Sequence, residues 1–291
     1  MFEQLGVIGC GLMGGSFALA CKQAGLVKRV VGYSKSPSTT EKARQLGVID
    51  AIAPSALLAV SGSDLVLLAV PVAATEATLK SIANLVSPQT LVMDVGSTKR
   101  DVVDAARRVL RNHVGSFVPA HPVTGKEVAG VEHADAQLYR DRQVVITPIE
   151  KTLTAHLSKA TRLWTELGCK VLTMSPEAHD SAFAAISHLP HLIAFALVNA
   201  IQDQAAGDDF LELAGPGFRD FSRIAAGDPD MWRDILLANR TQVLEQSRLF
   251  RNALHHIERL MQTDDGSALT QEIARASATR AAWRMTAARS E

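Results

Sequence analysis

The sequence predicts an α/β fold, an N-terminal Rossmann-type doubly wound sheet, followed by an all-α dimerisation domain. Three observations predict it. Near the start an apolar run ends in Gly9-x-Gly11-x-x-Gly14, with helical composition behind it. Up to residue 173, short β-branched runs alternate with helical patterns, the signature of parallel strands joined by crossover helices. Beyond Ser175-Pro176 the strand signals stop and helical patterns continue to the end. The expected division is a dinucleotide-binding domain at 1–173 and an all-helical substrate and dimerisation domain at 174–291.

The first element reads as a strand, a tight glycine turn and a helix N-terminus, which together make a pyrophosphate cradle. Gly9 permits the turn, Gly11 lets phosphates approach the backbone, and Gly14 lets helix and strand pack closely. Leu12 and Met13 lie in the same turn, where unpaired N–H groups and a partial positive charge meet the phosphates. The second strand covers residues 29–33. At its end, where an acid usually bonds the ribose 2′-hydroxyl of NAD, the chain has Ser34-Lys35-Ser36. Two hydroxyls and the Lys35 charge suit a 2′-phosphate, so NADP is the expected cofactor with NAD also possible. A solvated turn is the competing reading.

Residues 64–70 form a fully apolar strand stopped by Pro71, and Val70 and Pro71 are expected to wall the cofactor. A helix is predicted over 73–85, a buried strand over 90–95 and a helix over 99–110. Later strands are expected at 116–119, 143–147 and 170–172. In the second half, Ser175 caps a helix with Pro176 at its first position. Residues 182–204 read as a long helix, apolar on most faces, which must be covered on several sides. A domain of this size offers limited cover, so a homodimer built on the helical domain is expected. The tail, with Arg275, Arg280, Arg284 and Arg289, reads as a solvated helix face.

Thirty basic residues balance thirty acidic ones, which gives no reason to expect a nucleic-acid or anionic-membrane partner. Cys10, Cys21 and Cys169 are scattered without metal spacing, and no secretory leader precedes the first strand. A reduced, cytoplasmic protein acting on a small molecule is the expectation. The apolar stretch 184–201 contains His188, Pro190, His191 and Asn199 and reads as a buried helix rather than a membrane span.

Strand ends in a doubly wound sheet deliver side chains to the cofactor crevice. Gly96-Ser97-Thr98-Lys99 follows the strand at 90–95, where Ser97 can either cap the next helix or touch substrate. His121 follows the strand at 116–119, and an imidazole there can take a proton as a hydride leaves an alcohol carbon. In the helical half, His188 and His191 share a helix face, with Pro190 loosening the backbone between them. They read equally well as core histidines, and no further ligands at metal spacing accompany them. Arg219 and Arg223 flank Asp220, and arginine is the natural fork for a carboxylate.

Taken in order, Gly9-x-Gly11-x-x-Gly14, Asp94-x-Gly96-Ser97-x-Lys99, His121-Pro122-x-x-Gly125, Ser187-His188-Leu189-Pro190-His191 and Phe218-Arg219-Asp220-x-x-Arg223 resemble the prephenate/arogenate (cyclohexadienyl) dehydrogenases of tyrosine biosynthesis. The resemblance implies NAD(P)-dependent oxidative decarboxylation of prephenate to 4-hydroxyphenylpyruvate. It implies His121 and Ser97 at the ring hydroxyl, His121 taking its proton, and Arg223 clamping a substrate carboxylate. His188 and His191 would lie in the substrate pocket, His191 near the side-chain end, with Glu127 and Trp232 shaping or gating it. Lys126 stands where relatives often carry a smaller polar residue, and an added cation there would favour the keto acid prephenate over arogenate. The alternatives are an arogenate dehydrogenase using NADP, another two-domain NADP-dependent dehydrogenase or imine reductase, and a cofactor-sensing protein without turnover. The decisive spatial expectation is that His121 and Arg223 converge on one cavity beside the nicotinamide.

Overall fold

The computed structural model describes residues 1–126 and 128–284. Glu127 and Arg289 therefore lie outside the described residues. The first half runs β1 (Phe2–Ile8), α1 (Leu12–Gln23), β2 (Val27–Tyr33), α2 (Pro37–Gln45), β3 (Ala51–Ile52), α3 (Ala56–Val60) and β4 (Leu65–Leu68). It continues with α4 (Thr75–Ile82), β5 (Leu91–Asp94), α5 (Arg100–Leu110) and β6 (Phe117–Val118). These six strands form one sheet in the order β3-β2-β1-β4-β5-β6, with every pairing parallel. The order in which strands are added reverses between β1 and β4, and in such sheets the crevice opens at their C-terminal ends. Buried Val, Leu and Ile side chains on both faces hold helices against the strands.

The sequence places one strand at 116–119 with His121 beyond its end. The structure divides this stretch instead. After β6 the chain passes Pro119, which has no N–H to extend the ladder, and enters a second sheet as β7 (Ala120–Pro122). There β7 pairs antiparallel with β8 (Gln143–Ile146), which pairs parallel with β9 (Lys170–Thr173). His121 thus stands within a strand, opposite Val145, where its backbone is fixed. Helix α6 (Thr154–Glu166) closes this layer, and its Trp164 packs edge-on against Phe17 of α1 and against Tyr139. The Tyr139 hydroxyl donates to the Met13 carbonyl at 2.7 Å, tying the layer to the glycine turn.

The second half is helical: α7 (Pro176–Phe183), α8 (Leu189–Gln202), α9 (Gly207–Glu212), α10 (Pro216–Ser222), α11 (Pro229–Ala238), α12 (Arg240–Gln262) and α13 (Gly266–Ala282). Ser175 caps α7 by accepting the Ala178 N–H, and Asp228 caps α11 through Met231. A π-helical segment, Ala184–His188, joins α7 to α8. Pro190, the second residue after it, offers no N–H to the carbonyl four residues back, so the regular ladder is interrupted there. Residues 176–202 therefore run as one helix with a widened turn, six residues earlier in onset than the sequence pattern suggests.

That helix is long and apolar enough to cross a membrane by length and composition. The expectation that it is buried is corrected within the single chain, where Ala194 is the one residue of α8 that is fully buried. Large apolar side chains elsewhere in this domain are open as well, among them Leu213 at 84% and Met261 at 64%. The reason is one of surface: the helices described in this half leave most faces of an all-round apolar helix without cover.

Candidate active site

The glycine turn has the shape of a dinucleotide cradle. Gly9 adopts φ +97°, and a side chain on it would collide with the Ala69 carbonyl at the end of β4. A side chain on Gly14 would strike the Gly9 carbonyl, whereas one on Gly11 would meet nothing. Backbone approach is thus open at Gly11 and close packing is enforced on either side. No side chain caps the start of α1 and no acidic residue sits in its first turn, so the N–H groups around Leu12 and Met13 remain available to phosphate. Val70 and Pro71 flank this turn from β4, half-buried and exposed respectively.

At the end of β2 the structure changes one expected role. The Ser34 hydroxyl oxygen accepts the Cys10 N–H at 2.8 Å, bracing the glycine turn itself. Ser36 is within 2.8 Å of the Ser38 hydroxyl, and Lys35 is exposed at the strand end. Of the three groups expected to meet a 2′-phosphate, Lys35 is the one without a hydrogen bond or ion pair among the described residues.

The chemistry centres on a line of three groups. His121 Nδ1 is 2.8 Å from His179 Nε2, and His179 Nδ1 is 2.8 Å from Asp180 Oδ1. Asp180 also accepts the backbone N–H groups of Lys99 and Arg100 at 2.9 and 3.0 Å, from the first turn of α5. The carboxylate therefore caps α5 from the helical half, and of the two readings of Ser97 the structure does not bear out the capping one. Ser97 is half-buried at the same strand end. Burial opposes ionisation of Asp180, but its hydrogen bonds from His179, Arg100 and Lys99 outweigh that and hold its pKa below the usual carboxylate range.

An ionised carboxylate can only accept, so His179 Nδ1 carries the proton toward it. Burial keeps His179 neutral, pushing its pKa down, and its Nε2 is then the acceptor. His121 Nδ1 must donate to it. The consequence is a bare lone pair on His121 Nε2. Burial, reinforced by His179, Lys99 and His188, lowers the His121 pKa well below its ordinary value, so this base is neutral at pH 7. Phe183 packs against both rings, stacked on His179 with centroids 4.4 Å apart. Beneath them Lys99 and Asp94 form a fully buried ion pair at 2.5 Å, and Asp94 also accepts the Ala120 N–H at 3.1 Å. That pair fixes the backbone on which His121 stands.

The helical-domain residues gather beside this line. His191 stacks on Trp232 with centroids 3.6 Å apart, and its Nδ1 donates to the Ser187 carbonyl at 2.8 Å. Burial lowers the His191 pKa, and the nearby Arg223 charge lowers it further. His188 lies between, 6.3 Å from Trp232 by ring centroids and close enough to His121 for its charge to be felt there. Ring contacts thus join His188, Trp232 and His191, the His188 charge is felt at His121 and that of the exposed Arg223 at His191. Lys126 is placed differently from the expectation. Its ammonium pairs with Asp135 at 3.3 Å and with the His133 carbonyl at 3.1 Å, so it is not an uncompensated cation in the pocket. Sequence reasoning missed His179, Asp180 and Asn239; the one available signal was an adjacent His-Asp pair in the first turns of an apolar helix.

Removing a hydride from an alcohol carbon calls for a nucleotide cradle and a base with a free nitrogen, and the chain carries a glycine turn of that shape after β1 and a neutral buried imidazole on β7. The class is the two-domain nicotinamide-nucleotide dehydrogenases. Two family models match the chain, prephenate dehydrogenase nucleotide-binding domain over residues 17–173 and prephenate dehydrogenase dimerization domain over 175–275. The chain belongs to the prephenate dehydrogenase family. It is 32% identical over 273 residues to a cyclohexadienyl dehydrogenase of Zymomonas mobilis, covering 93% of this chain and 92% of that one. It is 34% identical over 271 residues to a prephenate dehydrogenase of Bacillus subtilis, covering 92% and 73% respectively. The fold superposes with a TM-score of 0.91 on a crystal structure of the A. aeolicus prephenate dehydrogenase in complex with hydroxyphenyl propionate and NAD+. That match has 34% identity and covers 96% and 98% of the two chains.

Proposed function

We propose that this chain oxidises prephenate, with release of carbon dioxide, to 4-hydroxyphenylpyruvate. The observation that carries the reading is the relay from Asp180 through His179 to His121, which leaves Nε2 of His121 free to accept a proton. In this reading His121 Nε2 takes the proton of the ring hydroxyl, and Ser97 orients that hydroxyl from the strand end beside it. As positive charge grows on His121, its Nδ1 proton leans toward His179, whose own proton is held by Asp180. A bound nicotinamide supplies the acceptor for the hydride that leaves the same carbon. The ring carboxylate is then vinylogously β to the new ring ketone, so the carbon–carboxylate bond breaks as carbon dioxide leaves, its electron pair aromatises the ring, and the oxygen takes back the proton held on His121 to become the phenol. Arg223 holds a substrate carboxylate at the rim, with His191, Trp232 and Glu127 shaping the side-chain end.

The backbone around Gly11 and the first turn of α1 would hold the pyrophosphate, and Lys35 favours NADP by offering a charge to a 2′-phosphate. NAD is the second reading, supported by the NAD+ in the A. aeolicus complex. Arogenate is the second substrate reading, supported here by the Lys126–Asp135 pair, which removes the extra cation that would favour the keto acid. The division into units 1–173 and 174–291, a homodimer through the open apolar faces of the helical unit, and a cytoplasmic setting complete the proposal. All three cysteines are free and buried, in keeping with that setting. Incubation with prephenate and either cofactor, following reduced cofactor and released carbon dioxide together, tests the reading. Equal amounts of the two products support it, and no reduction with prephenate or arogenate rejects it.

A further inference from the structure

His188 is 1% exposed, yet its Nε2 has no hydrogen-bond partner among the described residues. A buried polar group without a partner costs free energy, and such groups survive where a ligand completes them. The state of this nitrogen can be derived from its neighbours. Asn239, at the junction of α11 and α12, is 4% exposed, and its Nδ2 donates to the Asp180 carbonyl at 2.7 Å. A carbonyl only accepts, so this contact fixes which end of the amide faces inward. The same Nδ2 lies 3.2 Å from His188 Nδ1. An amide nitrogen only donates, so His188 Nδ1 must be the acceptor. The single proton of the neutral ring then sits on Nε2.

We infer that Asn239 is a positioning residue that sets His188 as a neutral Nε2–H donor to an oxygen of the bound substrate. Its two amide hydrogens join the backbone of the relay at Asp180 to the ring of His188, so one side chain places both the proton-accepting and the hydrogen-bonding histidine. The two pocket histidines then have opposite characters. His191 spends its Nδ1 proton on the Ser187 carbonyl and turns a lone pair outward, whereas His188 presents a proton. Protonation of His188 would put two donors face to face at Asn239. Burial opposes it independently, holding the ring pKa down to about 4. The substrate half of this inference rests on the prephenate reading above; the tautomer half does not.

The test has two arms. Nitrogen-15 NMR of the histidine-labelled protein without substrate, with the His188 signals assigned by their loss in His188→Gln, reads the tautomer directly. The expected result is a protonated Nε2 and a bare Nδ1. In Asn239→Asp, where a carboxylate accepts, the proton is expected to move to Nδ1 or the ring to become charged. A wild-type Nδ1–H tautomer overturns the inference whatever the activity. The second arm uses isosteres: glutamine places an amide near the Nε2 position and asparagine near Nδ1. Both variants are expected to raise KM, His188→Asn roughly 10-fold or more above His188→Gln, with a smaller change in kcat. Equal KM values in the two variants overturn the donor role. If the wild type fails to oxidise prephenate at all, the functional reading fails, and the tautomer arm still decides the role of Asn239.

Discussion

His121 Nδ1 lies 2.8 Å from His179 Nε2, and that contact decides which nitrogen of His121 is free to accept a proton. Its direction is inherited from Asp180, an acceptor pinned by the backbone N–H groups of Lys99 and Arg100 at the start of α5. If the relay sets the tautomer, losing the middle ring must cost more than packing. His179→Leu is expected to lower kcat by about 10²-fold or more with little effect on cofactor affinity. His179→Gln, whose amide oxygen can still accept from His121, is expected to recover part of that loss. Equal kcat values in the two variants would show that His179 merely fills space.

Arg223 is exposed, and its charge reaches His191. A carboxylate clamp contributes to binding before and during the reaction alike. Arg223→Ala is therefore expected to raise KM for prephenate roughly 10- to 100-fold while kcat changes less. Unchanged KM would remove Arg223 from the substrate site.

The two residues at the end of β2 should behave differently. Because the Ser34 oxygen braces the Cys10 N–H, Ser34→Ala is expected to weaken NADP and NAD alike. Lys35→Ala is expected to weaken NADP selectively, since Lys35 is the charge left for a 2′-phosphate. The measurement is kcat/KM for each cofactor in each variant. A large NAD preference that neither substitution alters would refute the NADP assignment.

Buried neutral histidines make stability depend on acid. His121, His179, His188 and His191 all have pKa values pushed down by burial. For each, the unfolded chain takes up a proton near pH 6.5 while the folded chain resists until lower pH. Their contribution is thus complete above 6.5 and is lost as pH falls. His188 alone, with its pKa near 4, accounts for on the order of 3 kcal/mol by pH 4. The melting temperature is expected to fall steadily from pH 7 to pH 4.5, and less steeply in His188→Gln. A melting temperature that rises over this range would contradict the burial of neutral imidazoles.

Much of this was legible in the residues. Gly9 and Gly14 specify a turn that admits no side chain at either position, and the apolar runs at 29–33, 64–70 and 90–95 read as buried parallel strands. The division of 116–122 into β6 and β7 was not legible, because Pro119 marks a break without saying which sheet receives the next strand. His179 and Asp180 were hidden because a His-Asp pair inside an apolar helix looks like any capped turn; their meaning comes from α5, eighty residues earlier. The tie between Lys126 and Asp135 depends on a loop path that no local pattern encodes. Local rules reach the cradle and the single base, and tertiary contact supplies the relay.

The most direct measurement compares the wild type with His121→Asn in the presence of prephenate and cofactor, recording kcat beside the dissociation constant of the cofactor. The expected result is wild-type turnover with carbon dioxide released, and a kcat lowered about 10²- to 10⁴-fold in the variant at unchanged cofactor affinity. A variant that retains kcat within about threefold of the wild type would contradict proton transfer to His121.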